Sequence, residues 1–158
     1  MQFKIAAASL LAAAGLSAAA PLEVRQETCP VVQTGDYVWK ISDLTARKLD
    51  GKSVSSLSFN VKATNGGTAD FICSTSSAVE DGKFYQCGEN SFIWFAYQDD
   101  RNGLILQHDE SDSVQLVGST SLPTNCRAGG SGPNDYVCQS TSDAYVTLVQ
   151  YPGGKAPQ

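Results

Sequence analysis

Leu57-Ser-Phe59-Asn-Val61-Lys-Ala63 decides the fold class, with apolar side chains at its odd positions and polar ones at its even positions. Successive side chains of a strand point to opposite faces, so the stretch reads as a strand with one buried and one wet face. The same period recurs outward in both directions. Tyr37-Val-Trp39-Lys-Ile41 sets its large residues on one face; Leu104-Ile-Leu106-Gln-His108, Val114-Gln-Leu116-Val117 and Ala144-Tyr-Val146-Thr-Leu148-Val149 continue the series. Ser91-Phe-Ile-Trp-Phe-Ala-Tyr97 is apolar on both faces, which suits a central strand covered on both sides. Ala69-Asp-Phe71-Ile-Cys73 and Phe84-Tyr-Gln-Cys87 read as the arms of a hairpin, with Glu80-Asp81-Gly82 as the turn between them. Asn65-Gly66-Gly67 and Asn102-Gly103 supply further tight-turn chemistry. No helical stripe is sustained. The expected fold is all-β: an antiparallel β-barrel or sandwich of about ten short strands.

Composition sets the class of protein. The chain has 158 residues, of which 42% are hydrophobic and 17% charged, too apolar for a disordered tail and too uncharged for a coiled coil. A formal net charge of −5 leaves no basic face for nucleic acid or anionic membrane, so neither is an expected partner. Residues 1–20 carry one early charge, Lys4, then an apolar stretch and small residues, the layout of a signal peptide cut after Ala18 or Ala19. Residues 21–25, ending at Arg25, read as a pro-segment, 26–151 as one domain, and 152–158 as a fraying tail. No later segment reaches the roughly 18 apolar residues of a membrane span. No Asn-x-Ser/Thr sequon occurs, so N-glycosylation is not expected.

Export turns cysteine into a framework question. The five are Cys29, Cys73, Cys87, Cys126 and Cys138. Any one can be left out, and the remaining four pair in three ways. Spacing favours the local couples. Cys73 and Cys87 flank a turn signal, and Cys126 and Cys138 enclose the glycine-rich stretch Arg127-Ala-Gly-Gly-Ser-Gly-Pro-Asn134. Each couple closes a loop of around 15 residues, worth about 3 kcal/mol in the chain-entropy account. Cys29 precedes the first strand, where it either meets its twin in a symmetric dimer or stays unpaired.

Catalytic chemistry finds little to work with. His108 is the one histidine, it has no G-x-S-x-G nucleophile context near it, and it reads as a surface residue. Asp99 and Asp100 form one acidic cluster, Asp109, Glu110 and Asp112 another, at opposite ends of the Leu104–His108 strand. Carboxylates on β loops bind calcium through hard oxygens, which makes these weak calcium candidates, yet Arg101 intrudes on the first cluster. Paired carboxylates also serve glycoside hydrolysis. Tyr85, Tyr97, Tyr136, Tyr145 and Tyr151 are candidates for a sugar-stacking or protein-binding patch. The residues thus leave open a carbohydrate-active protein, as hydrolase or binding module. No catalytic residue and no cofactor is assigned.

A wider pattern joins these stretches. Gly35-Asp-Tyr-Val-Trp-Lys-Ile-Ser42, Ser58-Phe-Asn-Val-Lys-Ala-Thr-Asn-Gly-Gly67 and Cys87-Gly-Glu-Asn-Ser-Phe92 are followed by Asp100-Arg-Asn-Gly-Leu104 and Asn125-Cys-Arg-Ala-Gly-Gly130. Gly132-Pro-Asn-Asp-Tyr-Val-Cys-Gln139 and Asp143-Ala-Tyr-Val-Thr-Leu-Val149 complete the series. In this order, with the cysteines in register, they resemble the fungal Alt a 1 family over essentially the whole mature chain. That resemblance implies a small secreted fungal β-barrel with no enzymatic mechanism, found in the plant apoplast or on the fungal spore or wall. It implies intrachain disulfides Cys73–Cys87 and Cys126–Cys138 and an interchain disulfide through Cys29. It also implies an allergen-like effector or elicitor that binds host plant proteins of the thaumatin-like pathogenesis-related class, triggers defence, hypersensitive cell death or virulence, and in some members carries a small phenolic ligand. Members differ in the stretches 46–52 and 108–113, taken here as loops. Arg47, Lys48, Lys52, His108, Asp109 and Glu110 are therefore the candidate partner surface.

Overall fold

The computed structural model describes residues 35–151. The leader, the pro-segment, Cys29 and the tail 152–158 lie outside the described residues. Eleven strands follow in order: β1 (Gly35–Lys48), β2 (Ser56–Asn65), β3 (Asp70–Thr75), β4 (Tyr85–Gln86), β5 (Ile93–Gln98), β6 (Gly103–Asp109), β7 (Gln115–Ser121), β8 (Thr124–Ala128), β9 (Tyr136–Ser140), β10 (Ala144–Thr147) and β11 (Val149–Gln150). One antiparallel sheet has the order β3-β2-β1-β9-β8, with β10 also on β1; the other has the order β11-β7-β6-β5-β4. Among the described residues no ladder joins the two sheets, so the fold is an open sandwich and not a closed barrel. The chain passes from one sheet to the other at Leu148, whose N–H donates to the Tyr37 carbonyl (2.7 Å).

β1 is the spine of the first sheet, and a register irregularity between Ser42 and Thr45 divides it. Asp43 takes a left-handed backbone there, φ 55°. An extra residue in a ladder exchanges the two faces of everything that follows. Trp39 and Ile41 are accordingly buried before the irregularity, and Leu44 and Ala46 after it. Ala46, Arg47 and Lys48 therefore belong to a strand and not to a loop: they pair with Cys138, Val137 and Tyr136 of β9.

β2 keeps a single parity, burying Leu57, Phe59 and Val61. Phe59 meets Phe95 of the opposite sheet edge to face, ring centroids 5.1 Å apart. Burying side chains of this size stabilises the fold by about 1.5–3 kcal/mol each. Gly118 on β7 lies where the sheets approach closely; a Cβ there would sit 2.5 Å from the Thr147 carbonyl oxygen and 2.7 Å from Val146 Cγ2.

The expected Ala69–Cys87 hairpin is not formed. β3 pairs with β2 in the first sheet, and β4 pairs with β5 in the second. Both apolar arms have better partners than each other, so the chain crosses the sandwich between them. The Cys73–Cys87 disulfide ties the end of that crossover back to its start, one sheet to the other. Cys126–Cys138 is a different kind of link, joining register partners on the β8–β9 hairpin.

Candidate functional site

β6 carries the candidate residues at its two ends. Seven residues at about 3.3 Å each set those ends roughly 20 Å apart. Beyond Gly103, a single 3-10 turn, Asp99–Arg101, closes the β5–β6 connection with Asn102 in the left-handed region that ends it. Beyond Asp109, the chain turns through Glu110–Val114 into β7.

At the Gly103 end Arg47, Lys48, Asp99, Asp100 and Arg101 all have partners, while the exposed Lys52 forms no ion pair among the described residues. Lys48 Nζ lies 2.6 Å from Asp99 Oδ2, and Arg101 Nε lies 3.4 Å from Asp100 Oδ1. Arg47 donates from Nε to Asp135 Oδ1 (3.0 Å) and from Nη2 to Asp135 Oδ2 (2.9 Å), and also to Ser131 Oγ (2.8 Å). Asp135 is only 2% exposed and also accepts from the Ser131 backbone N–H (2.9 Å). The Arg47 hydrogen bonds, followed by that backbone donor, hold its carboxyl down to about 2. Gly129 leaves room for this carboxylate, since a Cβ there would collide with it. Asp50 is held down to about 2 as well, by the backbone N–H groups of Lys52 and Ser53 and then by the Ser53 hydroxyl. This end is a structural clamp, so Arg47 and Lys48 are poorly placed to greet a partner.

The other end differs. His108 is half-buried and not a fully exposed residue: strand parity puts it on the face of β6 that carries the buried Leu104 and Leu106. Its ring lies 5.8 Å from that of Trp39, and His108 Nδ1 and Trp39 Nε1 are buried without a hydrogen-bond partner among the described residues. Asp109, one residue on, faces the opposite way. Gln107 Nε2 (3.1 Å) and Gln115 Nε2 (2.9 Å) both donate to its Oδ1. Both glutamines are buried. The proposed surface trio of His108, Asp109 and Glu110 is thus split between two faces by strand parity.

Asp109, Glu110, Ser111 and Asp112 instead line, together with Gln86, Asn90, Ser91, Phe92 and Trp94, an open cleft of about 700 Å³. Phe92 is 70% exposed and Trp94 half-buried. Phe92 precedes β5, and Trp94 lies on the face of β5 opposite to the buried Ile93 and Phe95. The period-two reading took both for the covered face of a central strand. The polar run Gly88-Glu-Asn-Ser91 immediately before them was the available signal that this end of the strand emerges.

The five tyrosines form no common platform. Tyr97 is buried, burial and the Asp99 charge raising its hydroxyl to about 12. Tyr85 stacks on Phe95 at 5.7 Å, while Tyr136 and Tyr145 stand opposite Lys48 and Lys40 on separate strand pairs. The calcium candidates are divided likewise, Asp99 and Asp100 at the clamp, Asp109, Glu110 and Asp112 at the cleft. Among the described residues no three His, Cys, Asp or Glu side chains are grouped to hold a metal ion. Among them, too, no helix is long and apolar enough to cross a membrane.

Comparison with known proteins places this architecture. The family model "Alternaria alternata allergen 1" matches residues 41–138. The Major allergen Alt a 1 of Alternaria alternata is 57% identical over 155 residues, covering 96% of this chain and 98% of the allergen. The Allergen Ulo b 1 of Alternaria botrytis is 58% identical over 137 residues, covering 85% of this chain and all of that one. The Effector protein PevD1 of Verticillium dahliae is 27% identical over 160 residues, covering 99% of both chains. The crystal structure of Alternaria alternata allergen Alt a 1 superposes with a TM-score of 0.72 at 54% identity, over 79% of this chain and 97% of that one.

Proposed function

The chain belongs to the Alternaria alternata allergen 1 family, an allergen- and effector-like family, and from that premise we propose that it is a secreted fungal recognition protein that works by binding a host plant protein and not by catalysis. The observation that carries this reading is the alignment with an effector protein along 99% of the chain. The N-terminal apolar leader supports export, with cleavage after Ala18 or Ala19 and trimming at Arg25. The partner is an extracellular plant protein of the thaumatin-like pathogenesis-related class, and the outcome is host defence or cell death. Cys29, free of the two intrachain links, forms the covalent bond of a homodimer. A small phenolic ligand is a further cargo of this class of protein.

Incubating the purified protein with plant apoplastic fluid and identifying what it retains tests the reading, together with infiltration into leaves. Retention of a thaumatin-like protein and a cell-death response are the expected results. Turnover or retention of a wall polysaccharide, with no protein captured, replaces the reading with a carbohydrate-active one.

A further inference from the structure

The charges of this molecule are unevenly matched. Among the described residues Lys40, Arg47, Lys48, Lys62, Lys83 and Arg101 each sit in an ion pair, with Asp143, Asp135, Asp99, Asp70, Glu80 and Asp100 respectively, while Lys52, Arg127, Asp81 and Glu89 sit in none. Glu110 and Asp112 line the cleft without an ion pair or a side-chain hydrogen bond among the described residues. Beside them, two neutral amides, Gln107 at 3% exposure and Gln115 at 0%, orient the Asp109 carboxylate. Donors fixed in the protein interior hold an acceptor at the wall of the cleft. Phe92 and Trp94 line the same cleft as these carboxylates.

Rings alone would suit any apolar or sugar surface, and carboxylates alone would be an ordinary solvated loop. Together they select a cation. Negative charges crowded at one end repel, and an arriving cation relieves that repulsion. Aromatic faces attract a cation by their quadrupole, and a guanidinium, being planar, also stacks on them. A volume of about 700 Å³, open to solvent, exceeds what one side chain fills and leaves space for the backbone that carries it.

We propose that the Phe92–Trp94 cleft binds an arginine side chain presented by a loop of the protein partner, its guanidinium lying between the aromatic rings and the carboxylates of Glu110 and Asp112. This rests on the reading of the chain as a protein-recognising effector. It adds to that reading which face is used and what the partner must display.

The test is titration of the full-length isotope-labelled protein with the peptide acetyl-Gly-Arg-Gly-Arg-Gly-amide, and with the same peptide carrying neutral citrulline for arginine. The arginine peptide should shift the Trp94 indole N–H and the amides of Phe92 and 109–112, while the Trp39 indole, in the core, stays still. Glu110→Gln combined with Asp112→Asn should weaken binding about tenfold, and Phe92→Ala about fivefold. Asp100→Asn, which removes an exposed charge at the opposite end of β6, should leave affinity unchanged.

Equal binding of the citrulline peptide overturns the cation assignment. So does equal weakening by Asp100→Asn, which would mean a long-range charge effect only. Spermidine binding more tightly than the peptide makes the site one for a free amine, and chitohexaose shifting the same resonances while the peptide shifts none makes it a sugar site; both overturn the proposal. If the Phe92→Ala protein still captures the host protein fully, the cleft assignment fails and the effector reading stands. If the peptide binds at the cleft and no host protein is captured, the effector reading fails.

Discussion

The two ends of β6 are built from similar residues and put to opposite uses. At the Gly103 end, Asp99 meets Lys48 at 2.6 Å and Asp135 takes two hydrogen bonds from Arg47. At the Asp109 end, Glu110 and Asp112 meet no cation among the described residues, and Phe92 stands 70% exposed beside them. One end stabilises the sandwich, while the other leaves charge and apolar surface uncompensated, which a self-contained structure has no use for. The comparison teaches that unpaired charge is a better guide to a binding face than charge itself. Arg47 and Lys48 are cations on the surface, yet both are already committed inside the molecule.

The comparison can be broken most severely at the disulfides. Replacing both Cys126 and Cys138 with serine should cost about 2–5 kcal/mol by urea denaturation and loosen the hairpin that presents Asp135. Replacing both Cys73 and Cys87 should cost a similar amount and should also shift the amides of 88–92, because Cys87 leads into the cleft wall. If both pairs of substitutions disturb the cleft equally, the two ends are not independent.

Next in size is Asp135→Asn. It removes the charge that two Arg47 nitrogens and a backbone N–H converge on, and the melting temperature should fall by several degrees. Glu110→Gln, by contrast, should change stability by no more than about 0.5 kcal/mol, the usual range for an exposed site.

Acid sharpens the contrast further. Asp135 and Asp50 are held down to about 2 in the folded chain, below the ordinary 3.8 that applies once it unfolds. Between those values the unfolded chain binds protons that the folded one does not, so stability present at higher pH is lost as pH falls through this window. Circular dichroism melts at stepped pH should show that loss, and Asp135→Asn should flatten it. The smallest expected effect is that of Phe92→Ser: stability unchanged within about 0.5 kcal/mol, because the ring already stands mostly in water.

Much of the fold was legible before any coordinates. The clean alternation from Leu57 to Ala63 marks one face, and the burial of Leu57, Phe59 and Val61 follows it. Less of the site was legible. Asp109 and Glu110 were singled out for their charge, but in company with His108, which strand parity sends inward. Phe92 and Trp94 were read as core because an apolar strand looks alike whether its neighbours cover it or stop short.

What the amino-acid sequence determined by itself is what depends on local rules: the strand period, the turn residues, and a cysteine count that demands bridges. What only the tertiary structure decided is everything that depends on which strands become neighbours. An irregularity at Asp43 exchanged the faces of β1, turning Leu44 and Ala46 into the core and ending the parity that Trp39 and Ile41 had set. β3 and β4 went to different sheets although turn residues lay between them. Cations and carboxylates far apart in the chain found each other at the clamp, and Glu110 and Asp112 came to line one cleft with Phe92 and Trp94. The physical reason is one of range. Backbone sterics and side-chain alternation act over a few residues and leave their mark in the sequence, while ion pairing and burial act between surfaces that exist only once the sheets have packed.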